Sequence, residues 1–105
     1  MLTEYFPNTK NVKTRIFYEN NTCVTLTGFY QEWHENGKLW KEINYKNGEL
    51  DGLYEEWYEN GKLYKSANYI NGKLNGLYKE YHNCGQLKEE INYINGKVES
   101  KCIIL

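Results

Sequence analysis

A chain of 105 residues is long enough for one domain. Its 13 basic and 14 acidic side chains leave a net charge of −1, without the electrostatic footprint of a nucleic-acid or anionic-membrane binder. Arg15 is the lone arginine, and no apolar run approaches the ~20 residues of a spanning helix, so phosphate recognition and a helical membrane span are disfavoured as well.

Aliphatic side chains are scarce, but the 11 tyrosines and 3 tryptophans argue against disorder and stand in for an aliphatic core. The nine glycines fall into three series, each spaced by 24 residues: Gly28, Gly52 and Gly76; Gly37, Gly61 and Gly85; Gly48, Gly72 and Gly96. A fixed period of this length marks a repeat architecture. Residues 1–105 therefore read as one domain of tandem units.

In chain order, residues 4–27 form a degenerate capping copy. Glu4-Tyr5-Phe6-Pro7-Asn8-Thr9-Lys10 follows Glu56-Trp57-Tyr58-Glu59-Asn60-Gly61-Lys62, with Thr9 at the turn glycine. Regular copies follow at 28–51, 52–75 and 76–99, and the middle one reads GLYEEWYENGKLYKSANYINGKLN. Residues 100–105 open a partial copy. Met1 to Lys10 lack a signal-peptide pattern, and Cys23, Cys84 and Cys102 are too widely spaced for a disulfide framework or zinc ribbon. The expected compartment is cytoplasmic, with free thiols and a silent glycosylation sequon at Asn20-Asn21-Thr22.

Each regular unit carries two turn positions, as at Asn60-Gly61 and Asn71-Gly72. Asn-Gly between strand-like runs is the strongest short hairpin signal, because both residues tolerate the positive φ of a two-residue turn. The chain should reverse about every 12 residues, giving about seven or eight strands with no helix. With two-residue turns, Tyr58 faces Leu63, Glu56 faces Lys65, Tyr54 faces Ala67 and Gly52 faces Tyr69. The next turn sets Tyr69 on Leu74, Ala67 on Gly76 and Lys65 on Tyr78. One face then carries Tyr30, Ile43, Tyr45, Leu50, Tyr54, Ala67, Tyr69, Leu74, Tyr78, Ile91 and Tyr93. The other carries Phe29, Trp33, Trp40, Leu53, Trp57, Tyr64, Leu77 and Tyr81, with Trp33 opposite Trp40 and Trp57 opposite Tyr64. Glu32–Lys41 and Glu56–Lys65 are opposite-charge pairs, while Glu80 opposite Glu89 breaks the pattern.

The form G-x-Y-x-E-W-x-x-N-G-K-L-x-K-x-x-x-Y-x-N-G-K-L-x resembles the MORN repeat in its variant form, closely over 28–99 and loosely over 4–27. The resemblance implies an all-β, single-layer antiparallel meander of tandem hairpins with no catalytic residues. It also implies roles in protein scaffolding or membrane association, and some bacterial members are labelled antitoxins. Thr9, Cys84 in place of the turn asparagine, and the truncated last copy depart from the pattern and bear on capping.

No serine-nucleophile, phosphate-loop, dinucleotide or zinc-protease motif is present, so no catalytic, cofactor-binding or metal residues are expected. His34 and His82 hold the same repeat position two units apart, roughly 19 Å at ~4.8 Å per strand, too far to share a metal. The aromatic ladder has two compatible readings: bracing of a thin sheet, or a ligand surface that a single layer cannot cover by itself. Aromatic platforms for single-stranded nucleic acid also need a basic groove, which the charge balance withholds.

Lys101-Cys102-Ile103-Ile104-Leu105 matches a prenylation signal, with Cys102 as the lipid acceptor and the protein then membrane-peripheral. The competing and favoured reading is a last edge strand, with Cys102 in the phase of Tyr78 on the tyrosine face and Ile104 beside it. The leading functional expectation is a non-enzymatic module binding a protein partner through the aromatic face. Neutralisation of a toxin and a lipid-anchored membrane adaptor are the alternatives, and self-association through a face or an edge is a further expectation.

Overall fold

The computed structural model describes residues 2–7, 12–18 and 27–103. Ten strands make one antiparallel sheet: β1 (Leu2–Tyr5), β2 (Val12–Tyr18), β3 (Gly28–Trp33), β4 (Leu39–Lys46), β5 (Glu49–Trp57), β6 (Leu63–Ile70), β7 (Lys73–Leu74), β8 (Gly76–Tyr81), β9 (Leu87–Ile94) and β10 (Lys97–Ile103). The spatial order is the chain order, with the two-residue β7 pairing β6 ahead of β8. Ten strands exceed the expected seven or eight, in part because Asn75 separates β7 from β8. Principal extents of 42 × 33 × 14 Å are those of a single layer. Thr9, Cys23, Asn20-Asn21-Thr22, Ile104 and Leu105 lie outside the described residues.

The two turns of each unit are built differently. At Asn71-Gly72 the expected two-residue turn forms: Ile70 pairs Lys73, Tyr69 pairs Leu74, and Asn71 and Gly72 adopt φ of 50° and 80°. The Asn47 and Asn95 turns repeat it, at φ 51° each. At Asn60-Gly61 the expectation fails. Gly61 N–H donates to Tyr58 C=O, Tyr58 N–H donates to Lys62 C=O, and only the glycine has positive φ, at 88°. This is a three-residue loop with the glycine in the left-handed position. Asn60 contributes its amide instead: Oδ1 accepts from Lys62 N–H at 2.8 Å, and Nδ2 donates to Asn83 C=O of the next repeat at 2.8 Å. Asn36 does the same with Lys38 and Glu59.

The extra turn residue is followed at once by a bulge. Glu56 pairs Lys65 as expected, but Trp57 pairs Leu63, so Tyr64 has no cross-strand partner on β5. Trp40 and Lys88 are the equivalent bulged residues of β4 and β9. A second irregularity lies at the strand glycines. Gly52 pairs Tyr69 as expected, but Lys65 pairs Glu80 rather than Tyr78, and Gly76 pairs Tyr93 while the Ala67–Gly76 pairing does not form. In the preceding copy the shift is explicit, since Ile43 pairs Tyr54 but Tyr45 pairs Leu50. A slip of two residues leaves each side chain on its face, which is why the tyrosine face survives the error. Gly52 at φ 102° and Gly76 at φ 103° supply the backbone this bend requires.

The core is one row across the strands. Ile43 (8% exposed), Ala67 (1%) and Ile91 (6%) lie between Tyr30, Tyr54 and Tyr78. The tyrosine hydroxyls donate onward to Glu32, Glu56 and Glu80 at 2.7, 2.8 and 3.2 Å. Burial, then the hydrogen bond from the phenol to Glu56, pushes the Tyr54 phenol well above the usual tyrosine range. Glu80 opposite Glu89 is accommodated by new cations: bulged Lys88 bridges Glu80 at 3.2 Å, and Lys101 of β10 bridges Glu89 at 3.3 Å.

Candidate interaction face

Strand alternation and the bulges together decide what each face displays. The two residues of a bulge oppose a single partner, and here both reach the tyrosine face. Lys41 Nζ lies 4.5 Å from the Trp40 ring centroid, and Lys65 Nζ lies 5.2 Å from that of Tyr64 and 5.8 Å from that of Tyr78. Trp40 stacks on His34 with centroids 5.4 Å apart, and Tyr64 packs on Tyr58 at 4.9 Å. The Tyr64 phenol is raised by burial and then by Glu80 and Glu56, both of the tyrosine face.

The expected eight-residue ladder is therefore divided. Trp40 and Tyr64 leave it, and the pairs Trp33–Trp40 and Trp57–Tyr64 do not form. Phe29, Trp33, Leu53, Trp57, Leu77 and Tyr81 remain on the second face. Leu39, Leu63 and Leu87 join them, paired with Trp33, Trp57 and Tyr81. These leucines were missed because a two-residue turn would have sent them to the tyrosines. Their signal was the leucine at the same place in all three copies, Lys38-Leu39, Lys62-Leu63 and Gln86-Leu87.

Leu53 and Leu77 are 44% and 47% exposed, and among the described residues the buried hydrophobic side chains, Ile43, Ala67 and Ile91, all belong to the tyrosine face. A family model of the MORN repeat variant matches three tandem stretches, residues 26–47, 50–71 and 74–95. The chain belongs to the MORN repeat family. No curated protein and no solved structure matches it. MORN repeats are typically found in protein-binding or membrane-associating modules.

Within this MORN sheet the second face has three rows crossing the strands. An outer row holds Phe29, Leu53 and Leu77 alternating with Asn44, Asn68 and Asn92. The opposite row holds Trp33, Trp57 and Tyr81 alternating with the three leucines. Between them run Gln31, Glu42, Glu55, Ser66, Lys79 and Glu90. Glu42 and Glu55 are direct cross-strand neighbours, an unfavourable pairing of like charges. Burial, then Glu42, raises the Glu55 carboxyl above its ordinary value. Gln31 Nε2 donates to Glu42 Oε2 at 3.1 Å, and Arg15 Cζ lies 5.6 Å from the Trp33 centroid.

The remaining candidates have structural surroundings. His34 Nε2 donates to Trp57 C=O at 2.8 Å, joining one repeat to the next, as Tyr58 OH does to Tyr81 C=O at 2.6 Å. Among the described residues, no three His, Cys, Asp or Glu side chains gather as metal ligands would. Cys102 lies within β10, as the edge-strand reading expects, but on the other face. It pairs Glu90, while Lys101 takes the place opposite Ile91. The reason is that β10 shifts by a single residue between Val98 and Ser100, whereas β5 shifts by two at the equivalent site. An odd shift reverses the faces.

Proposed function

We propose that this domain is a non-enzymatic binding module whose second face docks on a protein. The observation that carries the reading is the asymmetry of burial. The tyrosine face covers its own apolar row, whereas on the second face Leu53 and Leu77 stand about half exposed beside the Trp33–Trp57–Tyr81 row. A sheet with one uncovered apolar face ordinarily acquires a second layer. The repeated polar groups support binding over catalysis, because they are engaged in the fold. Glutamates accept from tyrosine hydroxyls, and asparagine amides join successive turns.

The test is quantitative capture by the immobilised domain, comparing the native chain with Leu53→Lys plus Leu77→Lys. Both side chains are exposed, so the fold should hold, as checked by circular dichroism. Loss of the captured proteins is the expected result. Undiminished capture by the double variant, with loss on Tyr45→Ala of the tyrosine face, would move the site to that face.

A further inference from the structure

The strands of the second face are of two alternating kinds. β3, β5 and β8 present a large apolar residue, a polar residue and an aromatic, as in Leu53, Glu55 and Trp57. β4, β6 and β9 present, at the same heights, an asparagine, a polar residue and a leucine, as in Asn68, Ser66 and Leu63. A two-fold axis parallel to the strands preserves height and reverses strand order. If it passes between adjacent strands, each strand of one kind lies over one of the other kind. Every aromatic then meets a leucine, and Phe29, Leu53 and Leu77 each meet an asparagine.

Of the three axes nearest the middle of β3 to β9, the central row selects one. Between β4 and β5, it would set Glu42 on Glu55 twice over. Between β6 and β8, it would set Glu55 on Glu90. Between β5 and β6, it sets Glu42 on Lys79, Glu55 on Ser66 and Gln31 on Glu90, each pair formed twice and none of like charge. That axis also lies near the middle of the sheet, so β3 to β9 of both copies overlap.

We propose that the occupant of the second face is a second copy of this chain, stacked about the axis between β5 and β6 to make a two-layer sandwich. The proposal rests on the reading of that face as a docking surface, and names its partner. Two sheets of the same twist stack with their strands nearly aligned, ~10 Å apart. The sheet extends 42 by 33 Å in its own plane, which exceeds the ~800 Å² per partner of a standard stable interface. In one copy, the Gln31 amide donates to Glu42, which lies beside Glu55. The second copy supplies the Lys79 ammonium. Trp57 of each copy covers Leu63 of the other, and Leu39 is covered by Tyr81.

Sedimentation velocity of the full chain over a concentration series tests this. A monomer–dimer equilibrium is expected. Lys79→Glu and Glu42→Lys should each raise the dimer dissociation constant by about tenfold or more, because each places like charges in contact across the interface. The double variant Glu42→Lys plus Lys79→Glu restores opposite charges and should return the constant to within about threefold of the native one. That rescue separates an interface effect from a folding defect. A chain that stays monomeric at every concentration overturns the proposal, as does a dimer indifferent to both single reversals or not rescued by the double one. The leucine-to-lysine capture experiment is read independently, so a monomeric chain that loses its captured proteins in that experiment would retain the docking face and lose only the identity of its occupant.

Discussion

Asn60-Gly61 and Asn71-Gly72 are the same dipeptide eleven residues apart, and they perform different physical work. At 71 the asparagine is chosen for its backbone: φ of 50° is a conformation that few side chains tolerate. At 60 it is chosen for its amide, which braces its own turn through Lys62 N–H and the next repeat through Asn83 C=O. Only the glycines share a role, at φ 88° and 80°. The difference teaches that a turn dipeptide specifies a reversal of the chain but not the number of residues in it. That number then decides which face the following side chains occupy.

Substitutions can separate the two turns. The largest effect is expected where they agree. Gly61→Val and Gly72→Val each force a β-branched residue into the left-handed region, and should cost about 2–3 kcal/mol. Urea unfolding with an unchanged m-value would measure it. Losses below about 0.5 kcal/mol at either site would show that the turn can change type.

The next contrast should divide the asparagines. Asn60→Gly removes two hydrogen bonds and should cost about 1–2 kcal/mol. Asn71→Gly keeps the required φ and should stay within about 0.5 kcal/mol of the native chain. Equal losses would collapse the distinction between amide and backbone.

Asn60→Asp sharpens the amide role further. The acceptor to Lys62 N–H is retained, but the donor to Asn83 C=O becomes a carboxylate oxygen facing a carbonyl. The expected loss is about 1 kcal/mol, with hydrogen exchange rising at the Lys62 turn by less than in Asn60→Gly. A fully neutral substitution would mean that the contact between turns contributes nothing.

The smallest effect is expected at Cys84, which holds the Asn60 position in the third copy. Its carbonyl already accepts from Lys62 Nζ at 3.0 Å, and among the described residues no later turn of this kind needs its side chain. Cys84→Asn should gain about 0.5 kcal/mol by bracing the turn alone. A gain as large as the Asn60→Gly loss would mean that the contact between repeats is not what distinguishes the positions.

The same logic marks how far the sequence could be read. The alternation of Tyr54, Glu56, Lys65, Ala67 and Tyr69 was legible, because strand period and the Asn71-Gly72 turn are local properties. The candidate face was legible for Phe29, Trp33, Leu53, Trp57, Leu77 and Tyr81, which precede the bulged segment in each copy. It was not legible for Trp40 and Tyr64, nor for Leu39, Leu63 and Leu87, since these follow the three-residue turn. Cys102 was misplaced in the same way, by a shift whose size differs between β5 and β10.

The sequence by itself determined the 24-residue period, the succession of hairpins, the family and the tyrosine-covered row, all of which follow from strand alternation and the recurrence of the same residues from unit to unit. The tertiary structure decided the bulges at Trp40 and Tyr64, the neutralisation of Glu80 and Glu89, and the composition of the second face. Lys88 neutralises Glu80 within one unit, whereas other such contacts join neighbouring units: the Asn60 amide on the next turn, the Tyr58 hydroxyl on Tyr81, and Lys101 on Glu89. The three-residue turn and its bulge form even in the third copy, where Cys84 replaces the asparagine, so the letters of a turn alone do not show which of two hairpin geometries it adopts.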